Sequence, residues 1–205
     1  MAKIKRKKGA KKKFFEAKIP LTATKVYLYG YSPEELEGNV VRLDLSKTLR
    51  GKNLELKAKI KLIDDKLIGE LISLQLFSSY IKKVIGRGVD YVEDSFKTEC
   101  KDARLVIKPF MLTRKRVPRA IRKAIRENAR KHLINKARIN NVNELFSDVM
   151  TNKLQKELSL KIKKIYPLAL CEIRTLEVLE RLKERKNAKE EKKVKEEEMK
   201  KEIIA

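Results

Sequence analysis

Arg119, Arg122, Arg126 and Arg130 recur at steps of three, four and four. On a helix, at about 100° per residue, that spacing gathers them into one stripe. A guanidinium is a planar fork that can bond two phosphate oxygens at once, so the chemistry open to such a stripe is to grip a run of phosphates. The stripe lies within TRKRVPRAIRKAIRENARKHLINKAR, residues 113–138, where eleven Lys or Arg, Lys123 among them, face a single acid, Glu127. Arg114, Lys115 and Arg116 crowd the entry to it. A solvated helix usually alternates the sign of its charges to gain i,i+4 pairs. This one does not, and the stretch reads as a surface for a polyanion.

The element that must carry the stripe is a helix after Pro118, a residue a first helical turn accepts because its nitrogen has no hydrogen to leave unpaired. Ile121, Ala124, Ile125, Ala129, Leu133 and Ala137 follow at three- and four-residue steps, so one face is apolar and docks on a core. The arginine stripe is expected opposite Ile121 and Ile125. The rest of the charge is just as localised. The chain of 205 residues has a formal net charge of +24 and a pI near 10.0. Residues 1–15 contribute +8 and residues 113–138 contribute +10. The first of these is a low-complexity arm with Lys5, Arg6, Lys7, Lys8, Lys11, Lys12 and Lys13. Self-repulsion extends such a segment until an anion neutralises it, and Phe14 and Phe15 can anchor its base.

Catalysis finds no support. His132 is the only histidine, and spacing places no nucleophile or carboxylate beside it. P-loop, GxSxG and metal-ligand signatures are absent, and GRG at 86–88 is a glycine pair rather than a phosphate loop. Cys100 and Cys171 stand 71 positions apart and form no CxxC pair, which fits two buried thiols in a reducing compartment. No apolar run approaches the ~18 residues that span a bilayer, and no signal peptide opens the chain. The expectation is a cytosolic protein without metal or cofactor.

Taken in order, KVYLYGYS suggests the first strand. GNVVRLDL (38–45) and the strictly alternating LELKAKIKLI (54–63) follow, and Asp64, Asp65 and Lys66 read as turn chemistry. LIGELISLQLFS (67–78) returns, with Gly69 marking a bulge. SSYIKKVIG (78–86) is a short helix capped by Ser78 or Ser79 and ended by Gly86. VDYVEDSFKTECKD (89–102) is an interrupted strand, and RLVIKPFMLT (104–113) a strand in which Pro109 requires an edge or a bulge. After the basic helix come helices at VNELFSDVM (142–150) and TNKLQKELSLKIKKIYP (151–167). A returning strand, LALCEIRTLEVL (168–179), completes the order. Domain boundaries are expected as a basic arm 1–15, a single α+β domain 16–179 and a charged tail 180–205, disordered or a frayed helix.

This order of segments resembles the S3Ae family of archaeal and eukaryotic small-ribosomal-subunit proteins. The carriers are KKFFEAKIP, GNVVRLDLSKTL, KAKIKLI leading into IGELISLQLFSSYIKKVIGRG, LVIKPFMLTRKRV, VNELFSDVM and KIKKIYPLALCEIRTLEVL. The length is similar to that of archaeal members. The resemblance implies a central antiparallel β-barrel-like sheet with flanking helices, and a place on the platform of the small subunit near the 3′ end of its rRNA and the mRNA exit. It implies rRNA contacts from Lys5 to Lys13, from Arg114, Lys115 and Arg116, and along Arg119 to Arg130. Neighbouring platform proteins, and mRNA near the exit, are the other implied partners. Polyanion binding follows from the residues alone, whereas the ribosome follows from the resemblance. A second reading, a basic helix-turn-helix-like DNA-binding regulator, rests on the three helices after residue 118. A β-rich first half and a charged arm weigh against it. In duplex RNA the deep major groove excludes a helix, so the expected mechanism is recognition of backbone and shape.

Overall fold

The structure, a computed structural model, describes residues 11–22, 25–47, 52–64 and 66–181. The expectations of an extended arm before residue 11 and of a charged tail after residue 181 lie outside the described residues. Backbone contacts divide the chain into two compact units, Met1–Gly86 and Arg87–Ala205.

The first unit is a sheet. Strand β1 (Lys13–Lys18) pairs antiparallel with β2 (Lys25–Gly30), and β3 (Val40–Asp44), β4 (Leu54–Ile63) and β5 (Lys66–Leu76) form an antiparallel meander. A parallel pairing of Ala17 and Lys18 with Leu67 and Ile68 joins the two sets. Leu54, Leu56, Ala58 and Ile60 are buried while Lys59 between the last two is exposed, as alternation requires of a strand with one covered face. Ala17, Leu36, Ile60 and Leu67 form a core cluster, with Phe15, Leu28, Val41 and Leu62 packed on it. Gly69 marks a close approach rather than a bulge. A Cβ there would meet Ile19 Cγ1 at 2.8 Å, and the bulge lies farther along, where Lys57 pairs with Ser73 but Ala58 with Leu71. Helix α1 (Ser78–Val84) follows, with Phe77 at its N-cap rather than a serine side chain, and with Ile85, not Gly86, at its C-cap.

In the second unit, β8 (Ala103–Thr113) is central. It pairs along its length with β9 (Leu168–Arg181) and, on its other side, with β6 (Tyr91–Glu93) and β7 (Phe96–Glu99), the two halves of the interrupted strand. Pro109 falls opposite the gap between β6 and β7, where its missing N–H leaves no ladder bond unmade. On the β9 side the register shifts at the same place. Lys108 faces Thr175 and Pro109 faces Ile173, leaving Arg174 as the extra residue. Helix α2 (Arg119–Ile139) lies along β6 and β7, and α4 (Lys153–Ile162) packs on α2, on β9 and on α3 (Val142–Met150). Phe110, Ile125, Leu133, Phe146, Leu158 and Ile173 are all buried.

The α+β class with a large, mostly antiparallel sheet and flanking helices is as expected, and the barrel-like description is loose because the sheet is not closed. Among the described residues, β2 and β3 in the first unit each pair on one side only, and β6 and β7 in the second pair only with β8. The expected boundary at residue 15 falls within β1, and that at residue 179 within β9.

Candidate nucleic-acid interface

Helix α2 begins one residue later than its proline. Pro118 is the N-cap, in an extended conformation, and its carbonyl accepts the Arg122 amide at 3.2 Å. The loop before it is pinned from both ends. Thr113, fully buried, has its hydroxyl 2.7 Å from the Asp90 carbonyl and 2.8 Å from that of Lys115, and it accepts the Asp90 amide at 3.0 Å. The Asp90 carboxylate then accepts the amide of Val117, itself buried, at 3.0 Å. Between these fixed points Arg114, Lys115 and Arg116 are all exposed. Three adjacent cations on a short loop repel one another, and the buried anchors hold them together in spite of it.

Along α2 the buried positions are Ile125, Ala129, His132, Leu133 and Ala137. At 100° per residue Leu133 and Ala137 turn the docked face toward the arginine stripe, so the stripe borders that face instead of opposing it. Its members are therefore partly held. Arg122 is half-buried with Nε 4.0 Å from an Asp90 carboxylate oxygen. Arg126 is exposed and donates from Nε to the Glu93 carbonyl at 3.3 Å. Arg130 is exposed with its guanidinium 5.6 Å from the centre of the Phe96 ring, within cation–π range. Each contact uses one edge or face of a guanidinium that has five donors. Arg119 and Lys123 are exposed as well. On the outermost row Lys123 stands 3.9 Å from Glu127 in an i,i+4 pair exposed on both sides, with Lys131 a turn beyond.

The extra residue on β9 completes the support. Arg174 reaches Glu93 with one guanidinium nitrogen 3.0 and 3.1 Å from the two carboxylate oxygens. Glu93, Asp94, Ser95, Lys108, Pro109, Arg126 and Arg174 surround a depression of about 430 Å³. The Glu93 charge is thus spent on Arg174, while its backbone carbonyl steers Arg126.

His132 is 6% exposed and accepts from Lys161 at Nδ1 over 2.9 Å, which leaves the proton on Nε2. Burial, then the Lys161 charge, holds its pKa below the ordinary histidine value, against the pull of Glu157. Glu157 itself is bonded to Lys136 at 2.7 Å, and that bond lowers its own pKa. These groups tie α2 to α4. Among the described residues no set of three or more His, Cys, Asp or Glu could hold a metal, and no helix is long and apolar enough to cross a membrane. Cys100 and Cys171 are both buried.

Of the other expected contacts, Lys11, Lys12 and Lys13 are exposed at the start of β1, and Lys5, Arg6, Lys7 and Lys8 lie outside the described residues. Sequence reasoning passed over Asp90, whose only local signal was an acid placed after a glycine-bounded turn. It also passed over the outward rings of Tyr27 and Tyr29, which alternation along KVYLYG does predict.

A sequence model of the ribosomal S3Ae family matches residues 2–181. The chain is similar to small ribosomal subunit protein eS1 of Nanoarchaeum equitans, at 29% identity over 80% of this chain and 87% of that one. It is similar to the protein of that name from Methanothrix thermoacetophila, at 30% identity over 72% of each. The Methanothermobacter thermautotrophicus protein of that name is 32% identical over 53% of this chain and 56% of its own. A match that runs through β1, the clamped loop, α2 and β9 places the chain in the ribosomal S3Ae family.

Proposed function

We propose that this chain is a structural constituent of the small ribosomal subunit that holds rRNA on the platform, near the mRNA exit, through phosphate-backbone and shape recognition. The family is one of non-enzymatic ribosomal proteins of the cytoplasm, with rRNA and other ribosomal proteins as partners. The observation that carries the finer reading is the run of exposed cations from Arg114, Lys115 and Arg116, on the loop fixed by the Asp90 clamp, through Arg119 and Lys123 to Arg126 and Arg130, the last two held by contacts to β6 and β7. Fixed guanidiniums lose less freedom on meeting a phosphate than free ones do. The arm, Lys5 to Lys13, adds charge at the other unit, and residues 16–179 serve together as one rRNA-binding domain. Platform proteins pack beside it, with mRNA within reach. The helix-turn-helix alternative loses its support in α3, the helix after α2, which carries Glu144 and Asp148 and no cation.

A radical source tethered to the basic loop tests the placement. Both native cysteines are buried, so Lys115→Cys offers one accessible thiol for an iron chelate. In assembled subunits, strand cleavage near the 3′ end of the small-subunit rRNA is expected. Cleavage confined to another domain of that rRNA, or none in subunits that contain the protein, contradicts the placement.

A further inference from the structure

The outer face of the β1–β2 hairpin exposes three large rings that its own unit leaves uncovered. Phe14 is 71% exposed, Tyr27 62% and Tyr29 56%. Phe14 and Tyr29 face each other across the ladder with ring centroids 4.9 Å apart. The inward residues of the same strands, Phe15, Ala17, Val26 and Leu28, already supply the core side. The outward rings therefore add nothing to that core, and contiguous apolar exposure of this kind marks a contact surface.

What surrounds the rings selects the partner. The Lys12 ammonium sits 5.3 Å from the centroids of both Tyr29 and Tyr31, and Lys11 and Lys13 are exposed beside it. The one acid on this face of β1, Glu16, is engaged by Lys25 at 3.1 Å, a pairing that raises the lysine's pKa. The face thus combines π surfaces with net positive charge. Tyr27 and Tyr29, two residues apart on a strand, are separated by ~6.8 Å. Bases within a stacked strand rise by only ~3.4 Å, so these rings suit bases splayed out of an unpaired strand. A duplex hides its base faces and gives the rings nothing to hold.

The geometry points to the Phe14–Tyr27–Tyr29 face as a stacking platform for unpaired RNA bases, with Lys11, Lys12 and Lys13 on the adjoining phosphates. It relies on the rRNA reading for the class of partner, but it concerns a different surface and a different kind of contact from α2. Stacking on an aromatic ring contributes ~1–3 kcal/mol per base and tolerates any base.

The test uses the full chain, an unstructured RNA of about twelve nucleotides, within the site sizes of sequence-tolerant single-strand binders, and a blunt RNA duplex of equal length. Phe14→Leu with Tyr29→Leu keeps apolar volume but removes two π faces. Single-strand affinity is expected to fall at least ~30-fold, from two stacking contacts at the lower end of that range, with duplex affinity and both salt slopes unchanged. Phe14→Trp with Tyr29→Trp should retain single-strand binding, and it guards against a Leu variant that fails to fold. Unchanged single-strand binding in the folded Leu variant overturns the platform, as does an equal loss on duplex. Unchanged RNA binding together with failure to enter the subunit assigns the face to a neighbouring protein instead. None of these results touches α2, whose neutralisation changes the salt slope and leaves the rings in place.

Discussion

The Asp90 carboxylate accepts the Val117 amide at 3.0 Å across 27 positions of sequence, and the Asp90 backbone is bonded on both sides to the Thr113 hydroxyl. One acid just before β6 therefore sets where β8 ends, where α2 begins and how the three cations between them are displayed.

Replacing Asp90 with Ala leaves the Val117 amide without its partner. The cost expected is ~1–3 kcal/mol, the range for a buried donor left unsatisfied, read as a lower denaturation midpoint. Hydrogen exchange at the Val117 amide should accelerate well beyond what global unfolding explains. An unchanged midpoint and unchanged exchange would remove Asp90 from the account.

Gly69→Ala tests the close approach in the first unit. The new Cβ meets Ile19 Cγ1 at 2.8 Å and Ala58 Cβ at 3.3 Å, and overpacking of this kind costs ~1–3 kcal/mol. Combined with Ile19→Ala, the loss should be smaller than the two single losses added, because the residues share one contact. Strict additivity would show that Ile19 does not select the glycine.

His132 gives the stability a pH dependence. Its folded pKa lies below the unfolded value near 6.5 through burial and Lys161, with Lys136 adding to them and Glu157 opposing. As the pH falls, the unfolded chain takes up the proton first. The stability from the neutral imidazole is full above about pH 6.5 and is lost as pH falls through the folded value. It is the only histidine, so His132→Gln should flatten the change in denaturation midpoint between about pH 7.5 and 5.5. RNA affinity should stay within about twofold of the wild-type value, since the imidazole is given no role in binding. An unaltered pH profile would refute the burial argument.

Local pattern made much of this fold readable. The period of two in Leu54–Leu62 and the three–four steps of Ile125, Ala129 and Leu133 belong to elements with one covered face, and such elements write that face into the sequence. β1 was harder to see. KFFEAK is short, follows a lysine run, and is joined to β5 by a parallel pairing about fifty positions away. The phase of the basic helix was readable, but its docking was not. Arg126 meets the Glu93 carbonyl 33 positions away and Arg174 meets Glu93 over 81, and no local window contains both partners. For the same reason Pro109 announced a bulge, while the residue expelled by it, Arg174, could be found only from the register of β9.

If the exposed cations of α2 contact phosphates, as proposed, their removal shows in the salt dependence of binding. Arg119, Lys123, Arg126 and Arg130 changed together to Gln remove four charges, while Arg122 keeps its place beside Asp90. Gln has good helix propensity, so circular dichroism should match the wild type. Each lost phosphate contact lowers the slope of log affinity against log salt by ~0.7 on single strands and ~0.9 on duplex. On a small-subunit rRNA fragment the slope should therefore flatten by roughly 3, with much weaker binding at low salt. A folded variant with the wild-type slope would show that these side chains face solvent, and would contradict the account.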